Sequence, residues 1–380
     1  VLFQIRDLLD KNPPISPKIK VFGFDDSTVA AVKKMDLPLS WWALMFQSLA
    51  KQKPKAILID KIFDRQYPKA DVEKFRKIMA AVDVPLTTVG FISDKKIPLR
   101  KVLGDHHQTH RIETFGLTPQ SKNPQVVPEF FYGANEMLAP SVDRIGHAVY
   151  PGDGSIKAFY RTDAETMVPH WCFTVAEQLG LTAAGFFVDG FPVPLDSQNN
   201  LQLNISPREK YSERTYSLLP VLARMNKKKP ISVVNEGDYV VILPAYYTGN
   251  TDFKRTPMGV MPGGFAMVSL LNSVVTQQWI TPFKWPFVLS LLAWLLACLV
   301  GYSFTPKPFL VVFSSTSLGF VLTVVVAFVY FNCIVSWVLP LLSFNLSAIL
   351  CFGQKTYLQN LQRALFEKEL EMTSVVQESM

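Results

Sequence analysis

Between Trp285 and Gly353 the chain runs 69 residues with one charged side chain, Lys307, and no histidine. No other feature limits its fold as severely. In a bilayer every backbone N–H and C=O must be satisfied within the protein, and a helix does this inside its own segment. The stretch divides into three runs, 285–304, 309–331 and 333–353, separated by Thr305-Pro306-Lys307-Pro308 and by the polar break at Asn332. Each holds about 20 residues, enough at 1.5 Å per residue to cross roughly 30 Å of hydrocarbon. Three transmembrane helices are expected.

The rest of the chain explains an otherwise odd average. The 380 residues are 49% hydrophobic and 18% charged, with a mean hydropathy of +0.18. Soluble chains carry roughly 25% charged residues. This balance excludes a freely soluble protein and a disordered one. Residues 1–283 nevertheless read as ordinary globular sequence, long enough for one large or two small domains.

The net charge of +7 comes from scattered lysines and one dense run, Lys227-Lys228-Lys229. Without an aromatic-interleaved basic stripe, nucleic acid is not an expected partner, whereas membrane lipid is. Of four cysteines, three (Cys298, Cys333, Cys351) lie in the apolar region. Cys172 alone belongs to the preceding domain, which therefore cannot form an internal disulfide.

Orientation follows from the basic residues. Lys307 marks the first inter-helix loop as cytoplasmic, the turn at Asn332 has no basic residue, and Lys355, Arg363 and Lys368 follow the third run. Residues 1–283 are thus expected outside the cytoplasm and the C-terminus inside. Trp279, Trp285 and Trp337 fall near the outer interface. The chain opens Val1-Leu2-Phe3-Gln4 with no signal-peptide pattern. Residues 1–18 are therefore expected to be the tail of an upstream span and a lead-in helix.

Residues 19–283 begin with a clear alternation. Apolar runs at 20–24, 56–59 and 86–92 read as strands. The segments 41–52, with Trp41, Leu44, Met45, Ser48 and Leu49 on one face, and 71–82, with Val72, Phe75 and Met79, read as helices. Strand–helix–strand–helix–strand spacing predicts crossover connections and a mainly parallel sheet, an α/β domain. Ligands of open parallel sheets bind outside the carboxyl ends of the strands. Asp25, Asp26 and Asp60 sit at such ends and are candidate ligand-binding residues, with Trp41 and Asp153 beside them. The competing reading is a helix cap at Asp25 or Asp26 and a loop pin at Asp60.

The segment 95–135 is polar and irregular. Its Asp105-His106-His107-Gln108-Thr109-His110 carries two histidines at metal-ligand spacing but lacks helical periodicity, so a solvated loop is favoured over a metal site. Alternating runs at 146–150 and 155–160 flank Pro151-Gly152-Asp153-Gly154, which predicts a hairpin. A helix is expected over 170–179, a buried strand over 239–243 and a last helix over 264–275. No nucleophile elbow, phosphate-binding loop, zinc-protease motif or dinucleotide turn is present.

These pieces resemble the second class of CHASE domain, an extracellular sensor of bacterial cyclases and kinases. The resemblance rests on Asp25-Asp26-Ser27 after the first strand and on Ile59-Asp60 with Ile62-Phe63. It also rests on Gly146-His147-Ala148 with Asp153-Gly154-Ser155-Ile156-Lys157, and on Thr248-Gly249, Asp252, Thr256-Pro257 and Pro262-Gly263. The chain departs from the family at Leu37-Pro38-Leu39-Ser40-Trp41-Trp42, which lacks an arginine, and at Met267, where the family tends to have a histidine. The resemblance implies an N-terminal span, an outer sensor, three further spans and a cytoplasmic output domain.

Residues 354–380 read as one cytoplasmic helix with a seam at Leu358, Leu361, Leu365, Met372 and Val375, interrupted by Lys368. This is the pattern of a coiled coil that would pair two copies and relay a signal. Its last turns resemble the linker before SpoIIE-like serine phosphatase domains; a nucleotide cyclase or a kinase are the alternatives. The expected whole is a homodimeric receptor for an unknown extracytoplasmic ligand or protein. No catalytic residue, metal or cofactor is expected in this segment, and Mg or Mn would belong to the output domain. The rival reading is a membrane-anchored envelope hydrolase or polymer-binding module.

Overall fold

The computed structural model describes residues 1–33, 36–63, 67–93, 113–114, 130–132, 138, 141–161, 167–182, 185–226, 231–244 and 253–379. The chain forms two compact units, Phe3–Ile280 and Thr281 onward. Asp105–His110, Lys227–Lys229, Thr248, Gly249 and Asp252 lie outside the described residues.

The N-terminal unit starts with α1 (Leu2–Leu8), then β1 (Ile19–Phe24), α2 (Asp26–Val32), α3 (Leu39–Ala50), β2 (Ala56–Ile59), α4 (Lys69–Met79) and β3 (Leu86–Ser93). Short strands follow: β4 (Glu113–Thr114), β5 (Phe130–Tyr132), β6 (Arg144–His147), β7 (Ser155–Lys157), β8 (Phe159–Arg161) and β9 (Met167–Pro169). A 3-10 turn, Trp171–Val175, precedes β10 (Leu179–Thr182), β11 (Gly185–Val188), β12 (Phe191–Val193) and β13 (Asn200–Gln202). The unit ends with α5 (Arg208–Glu213), β14 (Thr215–Ser217), α6 (Leu219–Asn226), β15 (Tyr239–Pro244), the hairpin β16 (Phe253–Thr256) and β17 (Gly259–Pro262), and α7 (Gly263–Thr276).

Six strands make the expected parallel sheet, in the order β14, β1, β15, β2, β3, β6, with β5 antiparallel to the end of β3. The central place belongs to β15, the last of these strands in the chain. It pairs with β1 from Ile19↔Tyr239 to Phe24↔Pro244 and with β2 from Ala56↔Tyr239 to Ile59↔Ile242. Alternation sends Phe22, Phe24, Ile57, Ile59, Val240 and Ile242 into one core with α3, α4 and α6. Leu243 points the other way, against Gly264 of α7. Helices therefore cover both faces, as buried parallel strands require.

The buried stripe of α3 is Trp42, Met45, Phe46 and Leu49, not the expected stripe that begins at Trp41. That rotation brings Phe46 inward, where it and Trp42 meet the Phe63 ring at 6.5 and 6.1 Å. Leu44 is left exposed. In α4 the expected Val72, Phe75 and Met79 are buried.

Two expectations fail for long-range reasons. The hairpin across Asp153 does not form: β6 joins the main sheet beside β3, and β7 pairs with β13. Alternation records that a strand exists but not which strand it pairs with. The helix over 170–179 shrinks to the 3-10 turn. Arg144 Nη1 takes the Thr174 and Ala176 carbonyls, which a continuing helix would need. The chain then leaves as β10 to form a second sheet, β12-β11-β10-β4.

The C-terminal unit holds β18 (Thr281–Pro282), α8 (Pro286–Ser303), α9 (Pro306–Phe331), β19 (Cys333–Ile334) and α10 (Val338–Ser379). Its three helices are each long and apolar enough to cross a membrane. Pro286 and Pro306 open α8 and α9 in the first turn, where proline costs no hydrogen bond. Asn332 closes α9 in the left-handed conformation. The third helix starts at Val338 rather than at 333, because Cys333–Ile334 pairs with Thr281–Pro282. It then runs without a break into the segment expected to be cytoplasmic.

The close approach at Gly146 is directly testable. A Cβ there would lie 2.6 Å from Trp171 Cα and 2.7 Å from the Pro169 carbonyl oxygen, both backbone atoms that cannot swing aside. Gly146→Ala is expected to lower stability by more than about 2 kcal/mol in denaturant unfolding. Gly180→Ala, with no atom within 4 Å of its Cβ, should shift it far less; equal effects would refute the steric account.

Candidate functional site

Because β1, β15 and β2 are parallel, Phe24, Pro244 and Ile59 end on one edge of the sheet. Strands are about 4.8 Å apart and Asp60 is level with Gly23, so Asp25 and Asp60 start two spacings across and two residues along, roughly 12 Å, from each other. Over the β15 and β2 ends lies a pocket with about 390 Å³ of empty space, part of it open to solvent. Phe24, Trp42, Ile242 and Pro244 give it apolar walls, and Asp36, Asp60 and Lys61 bring charge.

Lys61 and Asp36 define its polar side. The Lys61 ammonium donates to Asp36 Oδ2 at 2.8 Å, and Trp42 Nε1 donates to Asp36 Oδ1 at 3.1 Å. The same ammonium lies 5.7 Å from the Trp42 ring centre and 5.2 Å from that of Phe63. An ion pair laid over aromatic faces holds its geometry better than a free surface pair, which is worth little. Asp60 donates its backbone N–H to the Ile242 carbonyl at 2.8 Å, and this fixes its place at the strand end. The arrangement presents a carboxylate, a neutralised ammonium and aromatic surface to a small polar ligand.

The structure separates the sequence candidates. Asp60 lines the pocket. Asp25 is the N-cap of α2, with Oδ1 accepting from Thr28 N at 2.9 Å, Thr28 Oγ1 at 2.6 Å and Ser27 Oγ at 2.8 Å. Partial burial pushes the Asp25 carboxyl up, but the bonds from Thr28, Ser27 and Ser217 outweigh it and hold the carboxyl below its ordinary value. Asp26 occupies the first turn of α2, where a negative charge suits the helix dipole.

Asp153 lies outside this pocket. It is exposed and accepts from Ser155 N at 2.8 Å and Ser155 Oγ at 2.7 Å, a side-chain turn. Trp41 packs half-buried against the main core, and its neighbour Trp42 faces the pocket. Asp36, Lys61, Trp42 and Phe24 went unread in the sequence, although Lys61 follows Asp60 directly. Of the seam residues, Leu358, Leu361, Leu365 and Met372 are exposed on α10, and the Val375 side chain lies outside the described residues. Among the described residues no group of three or more His, Cys, Asp or Glu side chains is placed to hold a metal.

Behind the sheet edge is a polar cluster with no solvent access. His147 and His170 stand edge to face, 5.0 Å between ring centres. His170 Nε2 is 3.0 Å from Met267 Sδ on α7, and Cys172 Sγ donates to the Met267 carbonyl at 3.3 Å. Burial pushes the His147 imidazole down to about 3, helped by the Lys157 charge, and drives His170 well below its ordinary value. Burial, reinforced by the Asp60 charge, raises the Cys172 thiol well above its own. These groups are neutral at pH 7 and serve packing.

That neutrality predicts an acid-labile domain. Both histidines titrate lower in the folded than in the unfolded state, so their contribution to stability is intact above about pH 6.5. It is lost as the pH falls toward the folded value, by about 1.4 kcal/mol per pH unit for each histidine. Unfolding of the detergent-solubilised chain at pH 7 and pH 4.5 should differ by at least about 2 kcal/mol, and His147→Phe should flatten the slope. Equal stability at both pH values would show that His147 is not buried neutral.

No curated protein and no solved structure matches the chain. The sequence model of the CHASE2 domain matches residues 1–301, which takes in the whole N-terminal unit and most of α8. With three membrane-length helices from Pro286 onward, the chain belongs to the CHASE2 domain family and is the sensor and membrane region of a transmembrane sensory receptor.

Proposed function

We propose that the chain relays an extracytoplasmic stimulus, received at the pocket of Asp60, Lys61 and Asp36, through a pair of α10 helices to a cytoplasmic output domain. A SpoIIE-like serine phosphatase is the favoured output, with a nucleotide cyclase next; Mg or Mn would act there. The observation that carries this reading is the continuity of α10, an unbroken helix from Val338 to Ser379. Its apolar first half has the length of a span, and its second half exposes Leu358, Leu361, Leu365 and Met372 at 3-4 spacing. Exposed leucines at this spacing suit a second copy of the same helix.

The receiving end is supported by the pocket walls. Leu243 and Pro244 sit at the end of β15, and Leu243 packs within 3.0 Å of the site of a Gly264 Cβ. A ligand that shifts this strand end presses on α7, which leads in sequence to α8. An occupant biases the receptor only by binding one arrangement more tightly than the other. The positive-inside pattern of Lys307, Lys355, Arg363 and Lys368 supports a cytoplasmic C-terminus.

Two measurements test the reading. In cells carrying the full-length receptor, Asp60→Asn and Lys61→Met should shift or abolish regulated output, with stability of the purified chain changed by less than about 1 kcal/mol. Asp25→Ala should instead cost about 1 kcal/mol of stability through the lost cap and leave regulation intact. Unchanged regulation in both pocket variants would remove the pocket from the mechanism. Leu361→Cys should cross-link two copies on mild oxidation in membranes, and its failure to do so would exclude paired α10 helices.

A further inference from the structure

We propose that Cys298 and Cys351 are a redox-active dithiol that a lipid-soluble quinone converts to an intrasubunit disulfide, clamping α8 to α10. The bond formation itself does not rest on the receptor reading; only its consequence for signalling does. The two sulfurs lie 3.6 Å apart across the helices, on residues 53 positions apart in sequence, and both side chains are half-buried.

The helices touch closely at this level. A Cβ on Gly301 would fall 2.6 Å from Cys351 Cβ and 2.9 Å from the Ala348 carbonyl oxygen. Beside the thiols, Phe309 stacks on Phe352 at 4.1 Å, Tyr302 donates to Gln354 Oε1 at 2.7 Å and Lys355 donates to the Phe304 carbonyl at 2.9 Å. This ring of contacts holds the pair in register. A disulfide needs the sulfurs at about 2.05 Å, so rotamer adjustment and a small helix shift must close roughly 1.5 Å.

The chemistry balances with a quinone as partner. Both S–H bonds break and one S–S bond forms. The two electrons and two protons pass to the quinone, which leaves as the quinol. The oxidant class follows from the surroundings: Leu295, Leu299 and Leu350 are exposed on the same helices, so an oxidant arriving through this apolar surface must itself be apolar. An apolar pocket between α8, α9 and α10, lined by Leu292, Leu296, Phe320, Leu341 and Phe344, holds about 480 Å³ of empty space, part of it open to the surroundings, where the edge of a quinone ring can lodge. Disulfides near a reducing cytosol persist only as labile, regulatory bonds. Such a bond here would prevent α10 from sliding or rotating against α8 at the root of its exposed half.

The test uses the full chain in phosphatidylcholine nanodiscs, mixed with a short-chain ubiquinone and compared with the aqueous oxidant diamide. Quinone should convert the chain to a species lighter by two hydrogen atoms, with one 298–351 linked peptide and an equimolar yield of quinol. Dithiothreitol should restore both thiols. Cys298→Ser or Cys351→Ser should abolish the linkage, whereas Cys333→Ser should not. Thiols that stay fully alkylatable under both oxidants, or a bond joining two copies on a non-reducing gel, would overturn the proposal. Linkage with diamide alone would overturn the assignment of the quinone.

Discussion

Tyr239–Pro244 is the last strand of the parallel sheet in chain order, yet it lies in the middle, hydrogen-bonded to β1 on one side and β2 on the other. Until that strand returns, β1 and β2 have no hydrogen-bonded contact with each other, and the aromatic core around Trp42, Phe46 and Phe63 lacks Val240 and Ile242. Pairing residues so far apart in the chain costs loop-closure entropy before the contacts repay it. The pocket depends on it too: Ile242, Leu243 and Pro244 form one of its walls.

Among the described residues, two of the blocks that resemble the CHASE family meet where Gly154 packs on Pro257, and the contacts around these blocks are structural. Gly146 admits the backbone of Trp171, Gly154 admits the ring of Pro257, and Gly264 admits Leu243. Tyr150 OH donates to the Arg255 carbonyl and accepts from Gly154 N, tying the Asp153 turn to the β16–β17 hairpin. His147 and His170 fill a dry space between the sheet and α7. A motif of this kind is a set of close approaches that tolerate only particular side chains. Its recurrence therefore describes a fold more than a ligand.

The candidate site was half legible. Acidic residues just after apolar runs pointed to the carboxyl edge of a parallel sheet, and Asp60 lies at a pocket there. Asp25 sits on the same edge but takes three hydrogen bonds from Ser27 and Thr28 and caps α2. Asp153 satisfies its own turn. Asp36 and Lys61 were unreadable because their partnership spans 25 residues and two loops. Trp42 was missed for a subtler reason: adjacent tryptophans offer two helical registers, and only packing against Phe63 chooses between them.

The sequence by itself determined the local periodicities and the elements they build. Three charge-poor runs became three membrane-length helices, since apolar backbone without water has few other ways to satisfy its hydrogen bonds. Alternating strand and helix patterns became a parallel sheet with acidic residues at one edge. Tertiary structure alone decided which strands are neighbours, which face of α3 is buried, why the helix after His170 stops, and that Cys298 meets Cys351. Each of these depends on a partner far away in the chain. Hydrophobic period records that a face will be buried, and only the folded packing decides against what.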